Sequence, residues 1–263
     1  MLDELDPDTA RALLEWQLEM GADEAIGDVP VDRFAAAEPD ARPASDAPAP
    51  ATAADPAQEA EPDPVAVARA AVAGAADLAA LEAALGAFAH CELKKGARHT
   101  VFADGNPQAR VMIIGEAPGR EEDRAGLPFV GRAGQLLDRM FVAIGMARDA
   151  PDPARALYIT NILPWRPPQN RKPERAEIAM LMPFMERHVA LAAPDIIVLM
   201  GNTPCAGILG REGITRLRGQ WMRALERPVL PMFHPAYLLR NPAAKREAWA
   251  DLLALQDQLG SPA

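Results

Sequence analysis

The chain has 263 residues, 49% of them hydrophobic, which predicts one domain with a sizeable core and leaves residues over for an extension. Its formal net charge of −10 is uneven, because residues 1–64 carry 17 acidic and 3 basic side chains whereas residues 65–263 carry 20 acidic and 24 basic ones. Residues 65–263 are therefore mildly basic. This charge is too small for a protein that covers nucleic acid non-specifically, but it is compatible with an enzyme that binds a few phosphates at one cleft.

The N-terminal quarter of the sequence is predicted to lie outside the folded domain. Asp6 begins a helical pattern of apolar residues that Gly21 ends, so a short amphipathic helix is expected within residues 1–26. Residues 27–64 are a mixture of Pro, Ala, Asp and Glu with almost no large apolar side chains. That composition predicts a disordered acidic linker.

The globular domain is predicted to span residues 65–263, with a core at about residues 91–256. Its Ala- and Leu-rich start, residues 65–89, predicts a helix. Apolar runs follow at 110–115, 157–160, 195–201 and 229–233, alternating with helical segments at 134–144, 175–191, 203–209 and 242–259. Strands that alternate with helices indicate a three-layer α/β/α sandwich with about four parallel strands. Ligands bind beyond the carboxyl ends of such strands, where each run here is followed by a notable loop.

The cysteines and the start of the chain indicate a cytoplasmic protein with reduced thiols. Cys91 and Cys205 are far apart, and neither belongs to a CxxC pair or to a Cys/His cluster with metal-ligand spacing. There is no apolar run of 18 residues, and the acidic N-terminus lacks the basic and apolar regions of a signal peptide. A structural metal, a membrane anchor and secretion are therefore not expected.

The first two loops combine glycine, proline and an aromatic side chain. The segment GEAPG, from Gly115 to Gly119, fits a plain Gly/Pro turn, or a loop in which Glu116 orients a water molecule. It matches no phosphate-binding pattern, and the acids that follow would repel phosphate. In PFVGRAGQLLD, Phe129 fits a core aromatic or a platform on which a planar ligand stacks, because the flanking glycines permit close backbone approach.

The third loop, TNILPWRPPQNRK, supplies an amide and basic side chains. Asn161 at the end of its strand is either a turn residue or a carboxamide that reads the edge of a base, since an amide offers a donor and an acceptor side by side. Arg166, Arg171 and Lys172 are solvated charges or phosphate contacts, and the sequence leaves both interpretations open.

The fourth loop, HPAYLLR, supplies a histidine and two leucines. A lone histidine is more often structural than catalytic, but His234 directly precedes a proline at the predicted ligand end of the sheet. Leu238 and Leu239 either begin the last helix and pack on the core or form an apolar wedge that enters a duplex. In the second case Arg240 would lie beside a phosphate.

Together and in this order, the four loops resemble the family 4 uracil-DNA glycosylases, whose hallmarks look like GEAPG, PFVGRAGQLLD, a strand-end TN and HPAYLLR. The resemblance covers about residues 91–253. It implies a bacterial DNA-repair enzyme that flips uracil out of DNA and hydrolyses its N-glycosidic bond, leaving an abasic site for base excision repair.

The resemblance also implies roles for individual residues. Phe129 is expected to stack on uracil and Asn161 to read its polar edge. Gly115 and Gly119 are expected to belong to the substrate-binding site as well, and the backbone around Gly119 or Phe129 to exclude the methyl group of thymine. His234 is expected to stabilise the leaving base, and Glu116 to lie near the attacking water. Uracil-containing DNA is the expected partner, bound by a monomer.

The sequence departs from this family at a metal site. Family 4 enzymes typically hold a 4Fe–4S cluster on four cysteines, and the matching positions here are Cys91, Lys94, Trp165 and Leu181. Because a cubane cluster needs four thiolates or close substitutes, we expect no cluster and no other cofactor. Trp165 and Leu181 are expected to fill the space with apolar packing.

Two other functions remain open on the sequence alone. One is a uracil-recognition protein that has lost turnover or traps its DNA covalently, although the basic insertion of the trapping proteins after PFVG is missing here. The other is a small-molecule enzyme or nucleotide-binding module, since a fold does not determine function. The acidic extension fits either a partner-docking arm or a solubilising tail.

Overall fold

The computed structural model describes residues 63–260, so the N-terminal helix and the acidic linker predicted before residue 63 lie outside the described residues. In chain order its α-helices are α1 (Pro64–Ala73), α2 (Leu78–Ala87), α3 (Leu93–Gly96), α4 (Arg120–Ala125), α5 (Arg132–Val142), α6 (Arg175–Ala192), α7 (Asn202–Leu209), α8 (Ile214–Leu217), α9 (Pro235–Arg240) and α10 (Lys245–Gly260). Short 3₁₀ turns occur at Pro168–Asn170 and Pro242–Ala244. Among the described helices, none is long and apolar enough to cross a membrane.

The centre of the fold is a six-stranded sheet with the order β1-β3-β2-β4-β6-β5. The strands are β1 (Ala103–Gly105), β2 (Val111–Gly115), β3 (Leu157–Asn161), β4 (Ile196–Met200), β5 (Met222–Ala224) and β6 (Arg227–Met232). The four inner strands are parallel, whereas β1 and β5 are antiparallel additions at the two edges. The predicted parallel sheet is confirmed in these inner strands, and the edge strands are additional to it.

Two apolar cores lie on opposite faces of the sheet, as the strand periodicity of two requires. Along β2, Met112 and Ile114 join the core with α1, α2 and α6, while Val111 and Ile113 join the core with α5 and α10. All of β2 to β4 is buried, which is why these strands appear in the sequence as continuous apolar runs. Each fully buried Ile or Met stabilises the fold by about 1.5–3 kcal/mol.

The single helix expected over residues 65–89 is instead two helices, α1 and α2. The break follows Gly74, and Asp77 then caps α2 by accepting a hydrogen bond from the Ala80 backbone N–H at 2.8 Å. Arg187 of α6 donates to the carbonyl oxygen of Ala75 within the break, at 2.9 and 2.6 Å. The two short helices both pack on α6, and the Arg187 side chain ties the break between them to that helix.

Candidate active site

A cleft of about 640 Å³ opens at the carboxyl ends of the inner strands, within the size range of small-ligand sites. The loops after all four inner strands contribute to its wall. The candidate residues that line it are Glu116, Gly119, Phe129, Asn161, Arg171, Lys172, His234 and Arg240. The structure thus brings the four residues with the proposed chemical roles to one place.

Two side chains meet over the end of β2, where Gly115 pairs with Asn161 of β3. A Cβ atom on Gly115 would lie 2.4 Å from Asn161 Oδ1 and 2.5 Å from Cε2 of the Phe129 ring. Only glycine therefore lets the amide and the ring close over this strand end. Asn161 is 5% exposed, and within the described part of the chain no residue hydrogen-bonds to its carboxamide. A nearly buried amide without a protein partner is suited to pairing with a ligand.

Phe129 belongs both to the core and to the cleft. Its ring packs in the α5-side core, as the interpretation as a core aromatic requires, and it also forms part of the cleft wall. The ring centroid lies 5.4 Å from that of His234, with 28° between the planes. An aromatic face and an imidazole are therefore held side by side, next to the amide of Asn161.

The hydrogen bonding of His234 defines which ring nitrogen carries the proton. His234 is the N-cap of α9, and its Nδ1 accepts a hydrogen bond from the Ala236 backbone N–H at 3.1 Å. Nδ1 therefore holds a lone pair, and the proton of the neutral ring lies on Nε2. Burial, together with the positive charge of Arg240, lowers the pKa of His234 to about 4. At neutral pH the cleft thus contains an uncharged imidazole with an N–H to donate.

A second histidine with a lowered pKa, His188, also makes stability depend on pH. His188 hydrogen-bonds to the Tyr158 hydroxyl at 2.8 Å and stacks on Phe102, and burial lowers its pKa to about 4. In the unfolded chain both histidines return to about 6.5, so between these values the unfolded state binds more protons than the folded state. Their contribution to stability is present above pH 6.5 and is lost as the pH falls towards 4.

We therefore expect acidification from pH 7 to pH 5 to lower the free energy of unfolding by about 1–2 kcal/mol for each of the two histidines. Urea titrations at a series of pH values measure this. The variant His188→Gln should remove roughly half of the dependence. A free energy of unfolding that is constant over this range, or that rises on acidification, would contradict the assignment.

Glu116 is held by a threonine that the sequence analysis did not single out. Thr203, in the first turn of α7, is 1% exposed and donates a hydrogen bond from Oγ1 to Glu116 Oε2. This bond fixes one carboxylate oxygen of a side chain that lines the cleft. The position of Thr203 in the strand-end loop MGNTP was the only sequence signal that could have indicated it.

The basic side chains of the third loop are engaged within the protein. Arg171 forms a bidentate salt bridge with Glu177, with N–O distances of 3.0 and 2.5 Å, and it also lines the cleft. Arg166 donates from Nε to Asn170 Oδ1 at 2.8 Å. Arg240 is exposed and also lines the cleft. The third and fourth loops thus both bring positive charge to the cleft.

The two leucines of HPAYLLR have different environments, so a wedge made of both is not possible. Leu238 is 1% exposed and packs with Leu136, Phe233 and Ala248. A side chain enclosed in this way cannot enter a duplex, so Leu238 follows the alternative interpretation as a core residue of the helix. Leu239 is only partly buried.

The residues at the four expected cluster positions do not fit an iron–sulfur cubane. Cys91 is the only thiol among them, and burial raises its pKa. Trp165 and Leu181 are each 1% exposed in the same apolar core as Cys91, and Lys94 Nζ lies 5.9 Å from the Trp165 ring centroid. Over residues 63–260 there is no group of three His, Cys, Asp or Glu side chains placed to hold a metal ion. An ammonium, an indole and an isobutyl group cannot replace three thiolates.

Comparisons with known proteins agree with the motifs. Residues 102–253 match the family model of the uracil DNA glycosylase superfamily. The type-4 uracil-DNA glycosylase of Sulfurisphaera tokodaii is 36% identical over 182 residues, which is 65% of this chain and 80% of that protein. That of Thermotoga maritima is 37% identical over 156 residues, 57% of this chain and 77% of its own length. That of Archaeoglobus fulgidus is 33% identical over 181 residues, which is 65% of this chain and 87% of that protein. The chain therefore belongs to the uracil-DNA glycosylase superfamily and, within it, to the type-4 uracil-DNA glycosylases.

Proposed function

We propose that the cleft receives a uracil extruded from DNA and that the enzyme hydrolyses its N-glycosidic bond, leaving an abasic site that initiates base excision repair. The observation that carries the proposal is the convergence of an unpartnered amide, an aromatic ring, a neutral imidazole and a carboxylate in one cleft. Extruding a base from a duplex costs a few kcal/mol, so the pocket has to recover this by contacts with the flipped base.

Recognition is assigned to Asn161 and Phe129. The carboxamide of Asn161 donates to uracil O4 and accepts from N3–H, whereas cytosine presents an amino group and a lone pair at these two positions. With the carboxamide in this orientation, cytosine would leave both of its groups mismatched, so uracil is favoured over cytosine. Thymine differs only by a methyl group, so its exclusion is steric, and the backbone around Gly119 or Phe129 is the proposed wall.

Catalysis is assigned to His234 and Glu116. As the bond between N1 and C1′ breaks, its electron pair leaves with uracil, and positive charge develops on the sugar. The Nε2–H of His234 donates to O2 where the negative charge accumulates. Glu116, oriented by Thr203, stabilises the oxocarbenium-like sugar and directs the water whose oxygen bonds to C1′. The proton that this water releases neutralises the negative charge of the departed uracil. The hydrogen bond from the Ala236 N–H to Nδ1 supports the role of His234, because it leaves the single N–H of the neutral imidazole on Nε2.

The variant Phe129→Ala is expected to weaken binding of a uracil-containing oligonucleotide by roughly 1–3 kcal/mol, the usual contribution of base stacking. Fluorescence anisotropy on a non-hydrolysable substrate analogue measures the dissociation constant. Binding of an undamaged oligonucleotide serves as the control and should change little. Equal weakening for both oligonucleotides would contradict a stacking role.

The proposed contacts with DNA are side chains in or next to the loops that form the cleft, of which Arg240 is exposed and the others are partly buried. Leu239, not Leu238, is the proposed wedge that fills the gap left by the extruded base. Arg240, Arg166 and Arg171 are the proposed phosphate contacts, with Arg171 held in place by Glu177. The protein is proposed to act as a cytoplasmic monomer, and the acidic N-terminal extension to dock a protein partner.

We also propose that this chain works without an iron–sulfur cluster, because three of its four expected ligand positions hold side chains that bind no iron. Protein purified from iron-supplemented cells is expected to contain far less than stoichiometric iron and to lack a broad absorbance band near about 400 nm. Elemental analysis and a visible spectrum decide this. Stoichiometric iron together with acid-labile sulfide would contradict it.

Release of free uracil from a uracil-containing oligonucleotide, with substrate in large excess over enzyme, tests the proposed activity. Many molecules of uracil per enzyme are expected. A single turnover with the protein bound covalently to DNA would indicate a trapping protein, and binding of free nucleotides with no action on DNA would indicate a small-molecule enzyme.

A further inference from the structure

Phe129 holds its ring at the cleft from a backbone conformation that phenylalanine rarely adopts. Its φ is 53°, in the left-handed region, where Cβ crowds the following carbonyl oxygen. Such a conformation persists only when the surrounding contacts over-determine it. The groups that hold this segment are therefore part of how the site is built.

Arg148 holds the carbonyl groups of the segment. Its Nη1 donates to the carbonyl oxygen of Pro128 at 3.1 Å, and its Nη2 donates to that of Phe129 at 2.9 Å. The guanidinium is itself fixed by Asp104 on β1 and Asp138 on α5, with N–O distances of 2.7 and 2.8 Å. Its side chain is 16% exposed, so water competes weakly for these charge-assisted bonds.

Glu122 holds the amide groups on the other side of the same residue. Its Oε1 accepts hydrogen bonds from the backbone N–H of Val130 at 3.1 Å and of Gly131 at 2.9 Å. Its Oε2 accepts from the Gly119 N–H at 3.1 Å. One carboxylate therefore joins the GEAPG loop to the segment that carries Phe129.

Close packing of the segment on α5 completes this arrangement. A Cβ atom on Gly134 would lie 1.7 Å from the carbonyl oxygen of Phe129, so only glycine allows the carbonyl to occupy its position. The peptide groups on both sides of Phe129 are thus bonded to charged side chains, while the ring itself forms part of the cleft wall.

We propose that Arg148 is a positioning residue for base stacking: together with Glu122 it clamps the peptide groups around Phe129, so that the ring is preorganised to receive an extruded base. This inference rests on the proposed function, because it assumes that Phe129 stacks on uracil. Preorganisation of the ring removes an ordering cost that binding would otherwise carry, so loss of the clamp weakens substrate binding.

The test is Arg148→Met, made both in the natural chain and in the Phe129→Ala variant, with kcat and KM measured on a single-stranded uracil-containing oligonucleotide. With Phe129 present, kcat/KM is expected to fall at least about tenfold, mainly through a higher KM. In the Phe129→Ala background it should fall less than about twofold, because the clamp then has no ring to position.

The matched control is Arg110→Met at the opposite end of β2. Arg110 likewise donates to a carboxylate, that of Asp195 at 2.6 Å, and to a main-chain carbonyl, that of Leu259 at 3.2 Å. It lies away from the cleft, so a change in kcat/KM below about twofold is expected in either background. A larger loss of kcat/KM in Arg110→Met would show that loss of any such arginine lowers activity by destabilising the fold, which would contradict a specific role for Arg148.

Equal losses from Arg148→Met in the two backgrounds would overturn the clamp and leave Arg148 as a residue of general stability. Should Arg148→Met fail to fold, Asp104→Asn keeps the guanidinium but removes one of its two carboxylate partners, and the same comparison decides: a loss that does not depend on Phe129 overturns the proposal. Absence of uracil release by the natural chain is a separate outcome, which overturns the proposed function itself and with it the purpose of the clamp.

Discussion

Replacing His234 with alanine is expected to slow uracil release about a hundred- to a thousandfold, which corresponds to ~2.7–4 kcal/mol of transition-state stabilisation. The reason is the fixed tautomer: Nδ1 accepts from the Ala236 N–H, so Nε2 carries the proton that the departing base needs. Single-turnover rates with enzyme in excess measure the chemical step directly. A loss confined to KM would contradict the assigned role.

His234 is also a helix cap, and its replacement needs a control for that. Removing the acceptor for the Ala236 N–H is expected to cost about 1 kcal/mol of stability. The variant His234→Asn restores a good N-cap but cannot place an N–H at the same reach as Nε2. We expect it to unfold like the natural chain and to be as slow as the alanine variant. If His234→Asn recovered the natural rate, the slow rate of the alanine variant would be due to loss of the α9 N-cap and not to loss of the Nε2–H donor.

Replacing Asn161 with alanine is expected to lower kcat/KM by about a hundredfold or more. Uracil N3–H and O4 would both be buried without a partner, and each such group costs about 1–3 kcal/mol. The carboxamide has no protein hydrogen bond within residues 63–260, so its removal should barely change the denaturation midpoint. A large loss of kcat/KM with an unchanged denaturation midpoint would identify Asn161 as a residue that binds the base. A large fall in the midpoint would identify it as a structural turn residue.

Inhibition by free bases provides a second measurement for Asn161. Free uracil should inhibit the natural chain more strongly than free cytosine, because the carboxamide pairs only with the uracil edge. In Asn161→Ala the two bases should inhibit equally weakly. Equal inhibition of the natural chain by uracil and cytosine would show that Asn161 does not read the base.

The sequence predicts the centre of this fold because its strands are buried on both faces. Continuous apolar runs such as that of β4 leave little choice of structure. The edge strands β1 and β5 are three residues each and read ADG and MRA, so they carry no such pattern. The break between α1 and α2 was missed for a related reason, since alanine-rich sequence favours helix throughout and only Gly74 interrupts it.

The candidate site was predictable where its residues lie in the loops after the strands, and not elsewhere. Glu116 directly follows β2, Asn161 is the last residue of β3, and His234 lies two residues after β6, so the parallel sheet alone brings them together. Thr203 contacts Glu116 across 87 residues of sequence, and Arg148 reaches Asp104 across 44. Such partners are determined by tertiary packing, which no local pattern reports.

The most direct test of the central claim is to incubate the protein with matched duplexes containing U·G, U·A, T·G or only undamaged pairs, and to score abasic sites. We expect abasic sites in both uracil duplexes and none in the other two, because Asn161 pairs with uracil and the wall around Gly119 and Phe129 rejects the thymine methyl. Cleavage of T·G at a rate similar to U·G, or no cleavage of either uracil duplex, would contradict the account.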